Sequence, residues 1–365
     1  MPTLLDTFKL GDLALKNRII MSPLTRARAG TGDAPTALMA EYYAQRASAG
    51  MIITEATNVS PMSRPFDKAP GLFTKAQLQG WQQVTHQVHE RNGLIVAQLW
   101  HGGRIGAMGL LDWNEPLSPS GLNDDLEDLN VWGRLENGNY VRVMATPSRT
   151  MRIDEIQFTI DEYKQAAHNA VEAGFDGVEI HAASGYLPHQ FLSARVNQRQ
   201  DEYGGSIENR ARFLVDIIDA VAQVIPLSRV GVRISPYAVY NNALDDQVEE
   251  MYSYLANILN QKGVAFIHIA DTNGWFEQPD LPKILEILEG KYTGAIIANG
   301  GLSVDAAQTL VGEGTVPLVA FGRYYIANPD LVERIRDGLP LNPLRERDIY
   351  GYGAQGYTDY PAHSG

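Results

Sequence analysis

The feature that most limits how this chain can fold is a set of eight short apolar runs spread along almost its whole length. Short runs with little alternation between apolar and polar residues are typical of strands in a parallel sheet that helices cover on both faces. We therefore expect eight buried strands. The runs are RIIMSP (18–23), GMIITEA (50–56), GLIVAQL (93–99), DGVEIHA (176–182), RVGVRIS (229–235), VAFIHIA (264–270), GAIIANG (294–300) and PLVAFGR (317–323).

The segments between these runs have helical patterns. In residues 159–174, Thr159 and Glu162 form a capping-box pattern, and Gly174 is placed to end the helix. Residues 206–221 carry their apolar side chains on one helical stripe. Alternating strands and helices predict the α/β class and a (β/α)8 TIM barrel, formed by residues 1–365 as one domain. A doubly wound open sheet would have a similar pattern.

One long segment interrupts the alternation. Residues 105–150, which follow the third predicted strand, are rich in Asn, Gly and Pro and show no helical or strand period. Long connections without their own periodicity are often functional loops. We expect an insertion here that acts as a lid on the catalytic face of the barrel.

Charge and cysteine content exclude several classes of function. The formal net charge is −13, which argues against nucleic-acid and anionic-membrane partners, because both require clustered Lys and Arg. No targeting segment or membrane-spanning apolar run is evident, so we expect a cytoplasmic protein. The absence of cysteine excludes disulfides, thiolate zinc sites and cysteine-ligated iron–sulfur clusters.

Polar side chains cluster where a barrel has its active site. Reactive groups of this fold lie at the carboxyl ends of the strands. Each of these side chains alone could be structural, but together they predict a small-molecule site. The candidates are Thr25, Ala56, Gln98, His101, His181, Arg233, Asn299 and Arg323.

The last two strands end in glycine-rich turns that suit a phosphate. Gly300 and Gly301 follow the seventh strand, and Gly322 with Arg323 follows the eighth. Free backbone N–H groups and a helix capped by Ser303 would form an anion site in the usual phosphate-binding position of this fold. No phosphate-loop or dinucleotide-binding motif is evident, which favours flavin mononucleotide (FMN).

An isoalloxazine ring needs donors and acceptors along its pyrimidine edge, a cation near N1 and C2=O, and a hydroxyl near C4=O. Gln98, Arg233 and Thr25 supply these three types of group.

Five motifs closely resemble the old yellow enzyme family, and together they span nearly the whole chain. The resemblance implies a (β/α)8 barrel that carries FMN, is reduced by NADPH or NADH, and reduces activated C=C bonds of small alkenes. The motifs are MSPLTRARA (21–29), AEYYAQRASAG (40–50), AQLWHGGR (97–104), NQRQDEYGGSIENRARF (197–213) and GYTDYP (356–361).

The resemblance also implies roles for individual residues. His181 is similar to the carbonyl-binding histidine and Tyr186 to the proton-donating tyrosine, whereas Ser184 stands where the family usually has His or Asn. Trp100 and Tyr350 resemble residues of the substrate pocket. The expected FMN contacts are Pro23, Leu24, Thr25, Ala56, Gln98, His181, Arg233, Asn299, Gly300, Gly301, Phe321, Gly322 and Arg323.

Three other functions were weighed against this hypothesis. A 2,4-dienoyl-CoA reductase-type enzyme shares the flavin barrel, but it needs an iron–sulfur cluster that a cysteine-free chain cannot hold. A phosphate-handling aldolase or isomerase would be expected to show a Schiff-base Lys or a catalytic Glu at a strand end, and neither is evident in the sequence. A non-catalytic flavin-binding protein is an alternative that only a measurement of activity can exclude. A monomer and a homodimer are equally compatible with the sequence.

Overall fold

Eight parallel strands close into a barrel in the computed structural model, which describes residues 1–276 and 278–363. Each strand pairs with the next one along the chain, and the eighth pairs with the first. The predicted TIM barrel is confirmed and the open sheet is excluded. The strands are β1 (Ile19–Met21), β2 (Met51–Ile53), β3 (Ile95–Trp100), β4 (Gly177–Ala182), β5 (Val230–Ile234), β6 (Phe266–Ile269), β7 (Ala295–Ala298) and β8 (Leu318–Phe321).

Helices surround the barrel and fill the connections between its strands. Two further short helices follow β4 and β8, so the alternation is not strictly one to one. The helices are α1 (Ala37–Gln45), α2 (Lys75–His89), α3 (Ile153–Glu172), α4 (Leu187–Leu192), α5 (Ile207–Val221), α6 (Val248–Lys262), α7 (Leu281–Leu288), α8 (Val304–Gly312), α9 (Arg323–Ala327) and α10 (Leu331–Asp337). None of the helices in the described residues is long and apolar enough to cross a membrane.

Successive side chains of a strand point to opposite faces, so those on one face contact the helices and those on the other face point into the barrel. On β4, for example, Val178, Ile180 and Ala182 belong to the large core that includes helix residues, whereas Glu179 and His181 lie on the opposite face. The apolar runs therefore anchor the helices outside, and the polar residues within them are directed inward.

An apolar plug fills the amino-terminal end of the barrel. The strands Phe8–Leu10 and Leu13–Leu15 form an antiparallel hairpin. Leu10, Leu13 and Leu15 share a buried cluster with interior residues such as Ile20 and Phe266. Close packing therefore closes this end of the barrel to a ligand.

The start of α3 corrects the predicted capping box. The helix begins at Ile153, where Glu155 accepts a hydrogen bond from the backbone N–H of Arg152 and also pairs with Arg149. Thr159 is 2% exposed within the helix, so it packs in the core and does not cap. Two acidic residues in the first turn, Asp154 and Glu155, complement the positive end of the helix, and this signal marks the true start.

The segment 105–150 follows β3 and precedes α3, and it contains short strands of its own. Val131–Arg134 pairs with Tyr140–Val143 in antiparallel fashion, and Leu117–Ser118 pairs with Arg149–Thr150. A buried bidentate ion pair joins Arg104 to Asp125, with N···O distances of 2.8 and 2.7 Å. The segment is thus tied to the loop after β3. Its role as a lid stays a prediction.

Candidate active site

The carboxyl ends of the strands surround one cavity of about 430 Å³. Sixteen of the seventeen predicted site residues line it; the exception is Gly300. Their individual roles stay predictions. The sixteen are Pro23, Leu24, Thr25, Ala56, Gln98, Trp100, His181, Ser184, Tyr186, Arg233, Asn299, Gly301, Phe321, Gly322, Arg323 and Tyr350.

Arg233 reaches the cavity from the end of β5 and is fixed by two neighbours. Its Nη2 donates to Asn299 Oδ1 at 3.1 Å and lies 3.4 Å from Ser22 Oγ. Its Nε has no partner among the described residues. Burial lowers the pKa of Arg233, and the negative charge of Glu179 opposes this effect. A guanidinium nevertheless stays charged in proteins, so it places a fixed positive charge on the cavity wall.

His181 and Tyr186 form an aromatic group with Trp100. The rings of His181 and Tyr186 have centroids 5.0 Å apart, and those of Trp100 and Tyr186 are 4.9 Å apart in an edge-to-face arrangement. Burial, followed by the charge of Arg233, lowers the pKa of His181 well below its usual value, whereas burial raises the pKa of Tyr186 well above 10. The site therefore holds a neutral imidazole beside a protonated phenol.

Ser184 lies in the turn after β4 with its backbone fixed on both sides. Its φ of 57° lies in the left-handed region, and both its backbone N–H and its carbonyl are hydrogen-bonded. The N–H donates to Ser235 Oγ at 2.7 Å, and the carbonyl accepts from Asn241 Nδ2 at 2.9 Å. Asn tolerates the left-handed region better than Ser does. The backbone here thus suits the residue that the family usually has.

Tyr350 comes to the cavity from the C-terminal segment, far from any barrel strand. The Arg28 side chain donates to the carbonyls of Asp348 and Ile349 and so holds this segment in place. On the other side, the ring of Tyr350 stacks on Tyr140 of the insertion with centroids 4.9 Å apart. The C-terminal segment therefore supplies part of the cavity wall, and the insertion packs against it.

The turn after β7 has no room for side chains. A Cβ on Gly301, whose φ is 69°, would lie 2.4 Å from the carbonyl oxygen of Gly274. A Cβ on Gly300 would lie 2.5 Å from the side chain of Asp271. Ser303 caps α8 by accepting from the N–H of Ala306, as predicted. The turn keeps its backbone bare at the expected phosphate end of the cavity.

Replacing Gly301 with Ala is expected to raise the dissociation constant of FMN by roughly tenfold or more, because the Gly274 backbone must move (1.4 kcal/mol per tenfold). Gly314→Ala is a matched control, since Gly314 has a φ of 77° and open space around its Cβ position. Fluorescence titration of the two apoproteins with FMN measures the difference. Equal affinities in both variants would remove Gly301 from the phosphate site.

Several residues of the cavity wall were missed by sequence reasoning. Tyr240 follows β5, Trp275 follows β6, and Phe66 and Tyr324 come from other connections. Aromatic residues in loops after strands are a weak signal, since most such residues simply pack. His101, which was a candidate, is fully buried and instead accepts from the N–H of Gly103 through Nδ1.

A charged layer below the cavity was also missed. Glu179 and His268 are both 0% exposed, and Glu179 Oε2 lies 2.7 Å from His268 Nδ1. Gln98 Nε2 donates to the other carboxylate oxygen, Oε1, at 2.7 Å. Glu179 and His268 interrupt the apolar runs 176–182 and 264–270, and these interruptions are the sequence signal that could have indicated the layer.

The residues present fit FMN. The cavity offers an amide from Gln98, a fixed cation from Arg233 and a hydroxyl from Thr25, and Gly301 and Arg323 line the same cavity. The Nε of Arg233 is buried without a hydrogen-bond partner among the described residues, as is expected where a cavity wall binds a polar ligand.

Comparison with known proteins gives the same assignment. Residues 3–342 match the model of the NADH:flavin oxidoreductase / NADH oxidase family. A Leishmania infantum protein named "Probable flavin mononucleotide-dependent alkene reductase" is 38% identical over 98% of this chain and 97% of its own length.

Solved structures agree with the sequence comparison. Morphinone reductase in complex with tetrahydroNAD superposes with a TM-score of 0.94 at 41% identity, over 100% of this chain and 98% of that chain. An old yellow enzyme homologue from Zymomonas mobilis gives 0.92 at 38% identity, over 99% of both chains. The predicted resemblance is confirmed. The chain therefore belongs to the NADH:flavin oxidoreductase / NADH oxidase family, as an NAD(P)H-dependent flavin oxidoreductase of old yellow enzyme type whose cofactor is FMN.

Proposed function

We propose that the protein reduces the C=C bond of electron-poor alkenes such as enones, enals, nitroalkenes and maleimides. Held by Gln98, Arg233 and Thr25 on the cavity wall, FMN would supply the hydride chemistry between NAD(P)H and the β-carbon of the alkene. The observation that carries the proposal is a neutral imidazole, His181, next to a protonated phenol, Tyr186, on the wall of the cavity. Membership of an oxidoreductase family argues against the aldolase and isomerase alternatives, and measured alkene reduction would exclude the flavin-carrier alternative.

His181 serves as the main donor to the substrate carbonyl or nitro oxygen. Its Nδ1 has no hydrogen-bond partner among the described residues, and a neutral imidazole carries one N–H to donate. The donor strengthens as negative charge develops on the oxygen, which is the condition for catalysis by differential binding. Burial, and after it the nearby positive charge of Arg233, lower the pKa of His181 and keep the imidazole neutral.

Tyr186 serves as the proton donor to the α-carbon. Its phenol is 6% exposed, and burial keeps it protonated over the working pH range. Trp100, which meets Tyr186 edge to face, restricts the orientation of the phenol. A positioned acid of this kind contributes typically 10²–10⁴-fold to a rate.

Turnover of NADPH and NADH with a panel of small enones and nitroalkenes tests the proposal. The purified protein should be yellow, should oxidise more than one equivalent of nicotinamide per flavin under anaerobic conditions only when an alkene is supplied, and should form the saturated product. A yellow protein that oxidises nicotinamide but reduces no alkene of the panel would contradict the proposed substrate class.

Ser184 is expected to make carbonyl activation weaker than Asn would. A serine hydroxyl is shorter than an asparagine amide and reaches the oxygen only through a water or a shifted substrate. Ser184→Asn should therefore raise kcat/KM for a small cyclic enone, and its φ of 57° should tolerate the change.

His181→Ala provides the comparison, because loss of an oxyanion donor costs roughly 3 kcal/mol, about two orders of magnitude in rate. Equal or slower turnover in Ser184→Asn, with unchanged FMN content, would show that Ser184 has its own geometry for the substrate.

A further inference from the structure

A buried carboxylate stands directly behind the cavity wall. Glu179 on β4 lies opposite Gln98 of β3 in the strand register, and their side chains meet at 2.7 Å. On its other oxygen, Glu179 meets His268 of β6, also at 2.7 Å. Three strands thus contribute to one polar layer, and only Gln98 among its members lines the cavity.

The barrel does not need this layer for packing. The interior layer nearer the amino-terminal end is apolar, with Ile20, Met51, Val96 and Phe266 in one cluster. Branched apolar side chains dominate the interior of this fold, and burying a carboxylate costs several kcal/mol unless partners compensate it. A charged layer just below the ligand cavity is therefore best explained by what it does for the cavity.

The carboxylate decides which way the Gln98 amide points. An ionised carboxylate can only accept hydrogen bonds, so Nε2 of Gln98, and not Oε1, must face Glu179. The carbonyl oxygen of Gln98 is then left for the cavity, where it can accept from an N–H such as N3–H of a flavin. A neutral partner would leave both orientations of the amide possible.

The carboxylate also balances the charge of the cavity wall. The strand register places Arg233 next to His181 on one side and His268 on the other. Burial, more strongly than any other cause, lowers the pKa of His268, so this ring adds no positive charge. Glu179 is then the negative group of the layer, and its charge acts on Arg233 of the cavity wall.

We infer that Glu179 is a positioning residue for the flavin: it fixes the Gln98 amide for binding and partly neutralises Arg233, and it thereby sets both the affinity for FMN and the reduction potential. This inference rests on the proposed function and on the predicted placement of Gln98 and Arg233 at the pyrimidine edge of FMN. His268 completes the unit because its Nδ1–H occupies the second carboxylate oxygen.

Glu179→Gln tests both parts. Glutamine can donate as well as accept, so the Gln98 amide loses its fixed orientation, and the dissociation constant of FMN should rise by about tenfold or more. Arg233 without its counter-charge favours the reduced anion. The ratio of reduced to oxidised flavin at a given potential should rise about tenfold, which is about 30 mV for a two-electron couple. Fluorescence titration and dye equilibration measure the two quantities.

Two variants separate the orientation effect from the charge effect. Glu179→Asp keeps the charge but shortens the reach, so FMN affinity should fall while the potential stays near that of the wild type. In Gln98→Met, adding Glu179→Gln should weaken FMN binding no further, because coupled residues are not additive. Asp125→Asn, which removes a carboxylate from the buried pair with Arg104, is the matched control for lost stability and should leave the potential unchanged.

The outcomes distinguish failure of this inference from failure of the proposed function. Wild-type affinity and potential in Glu179→Gln would overturn the inference, while a yellow wild-type protein that reduces alkenes would still support the proposed function. If Glu179→Gln does not fold, Glu179→Asp decides, since unchanged FMN affinity in that variant would show that Glu179 does not hold Gln98.

Discussion

Tyr186→Phe should leave reduction of the flavin by NAD(P)H nearly intact and slow its reoxidation by an enone by on the order of 10²-fold or more. The phenol hydroxyl is needed only when the α-carbon takes a proton, which happens in the second half-reaction. The substitution keeps the ring, so the edge-to-face contacts with Trp100 and His181 are preserved.

Anaerobic stopped-flow measurement of the two half-reactions gives the result directly. Tyr240→Phe is the matched control, since it removes another phenol hydroxyl from the same cavity and should slow neither half-reaction comparably. Equal slowing of both half-reactions in Tyr186→Phe would assign Tyr186 to nicotinamide binding or to structure.

The pH dependence of reoxidation should reflect the raised pKa of Tyr186. A group whose pKa lies well above 10 keeps its proton throughout the neutral and mildly alkaline range. Reoxidation of the wild-type enzyme should therefore show no alkaline decline as pH rises from neutrality towards 10. A decline with a midpoint below 9 would contradict a buried phenol as proton donor.

Arg233→Leu is the second substitution with a large expected effect. Its guanidinium supplies the fixed charge of the cavity wall, and its removal leaves Glu179 without the neighbouring cation. We expect loss of most of the bound FMN during purification and slow reduction of the flavin that remains.

Two comparisons make the Arg233 result specific. Arg233→Lys keeps the charge without the planar fork, so it should retain more FMN and a faster reduction than Arg233→Leu. Arg104→Leu removes another buried arginine, from the loop after β3, and controls for general loss of stability. Normal FMN content and an unchanged reduction rate in Arg233→Leu would remove Arg233 from the flavin site.

Much of the site could be predicted because it lies at strand ends. Gln98 and His181 each lie near the end of an apolar run, where a barrel strand meets its loop. The structure brings these strand ends together. Side chains from connections were harder to predict. Tyr240 and Trp275 line the same cavity, but loop aromatics carry no period that would mark them.

The sequence by itself determined the order of strands and helices and therefore the α/β class, whereas closure into a barrel, in which the eighth strand pairs with the first, is seen only in the tertiary structure. Side-chain periods of two and 3.6 are local properties, so eight apolar runs and the patterns between them predict the elements without knowledge of any long-range contact. Where local signals compete, boundaries shift, as at α3, which begins at Ile153 and not after Thr159.

Only the tertiary structure decided which polar side chains meet inside the barrel. Glu179 and His268 are separated by 89 positions, and each is an isolated polar or charged residue within an apolar run. Their contact follows from the register of β4, β5 and β6, which depends on closure of the whole barrel. Ion pairing and amide orientation act over a few ångströms in space, whereas sequence patterns report only neighbours along the chain.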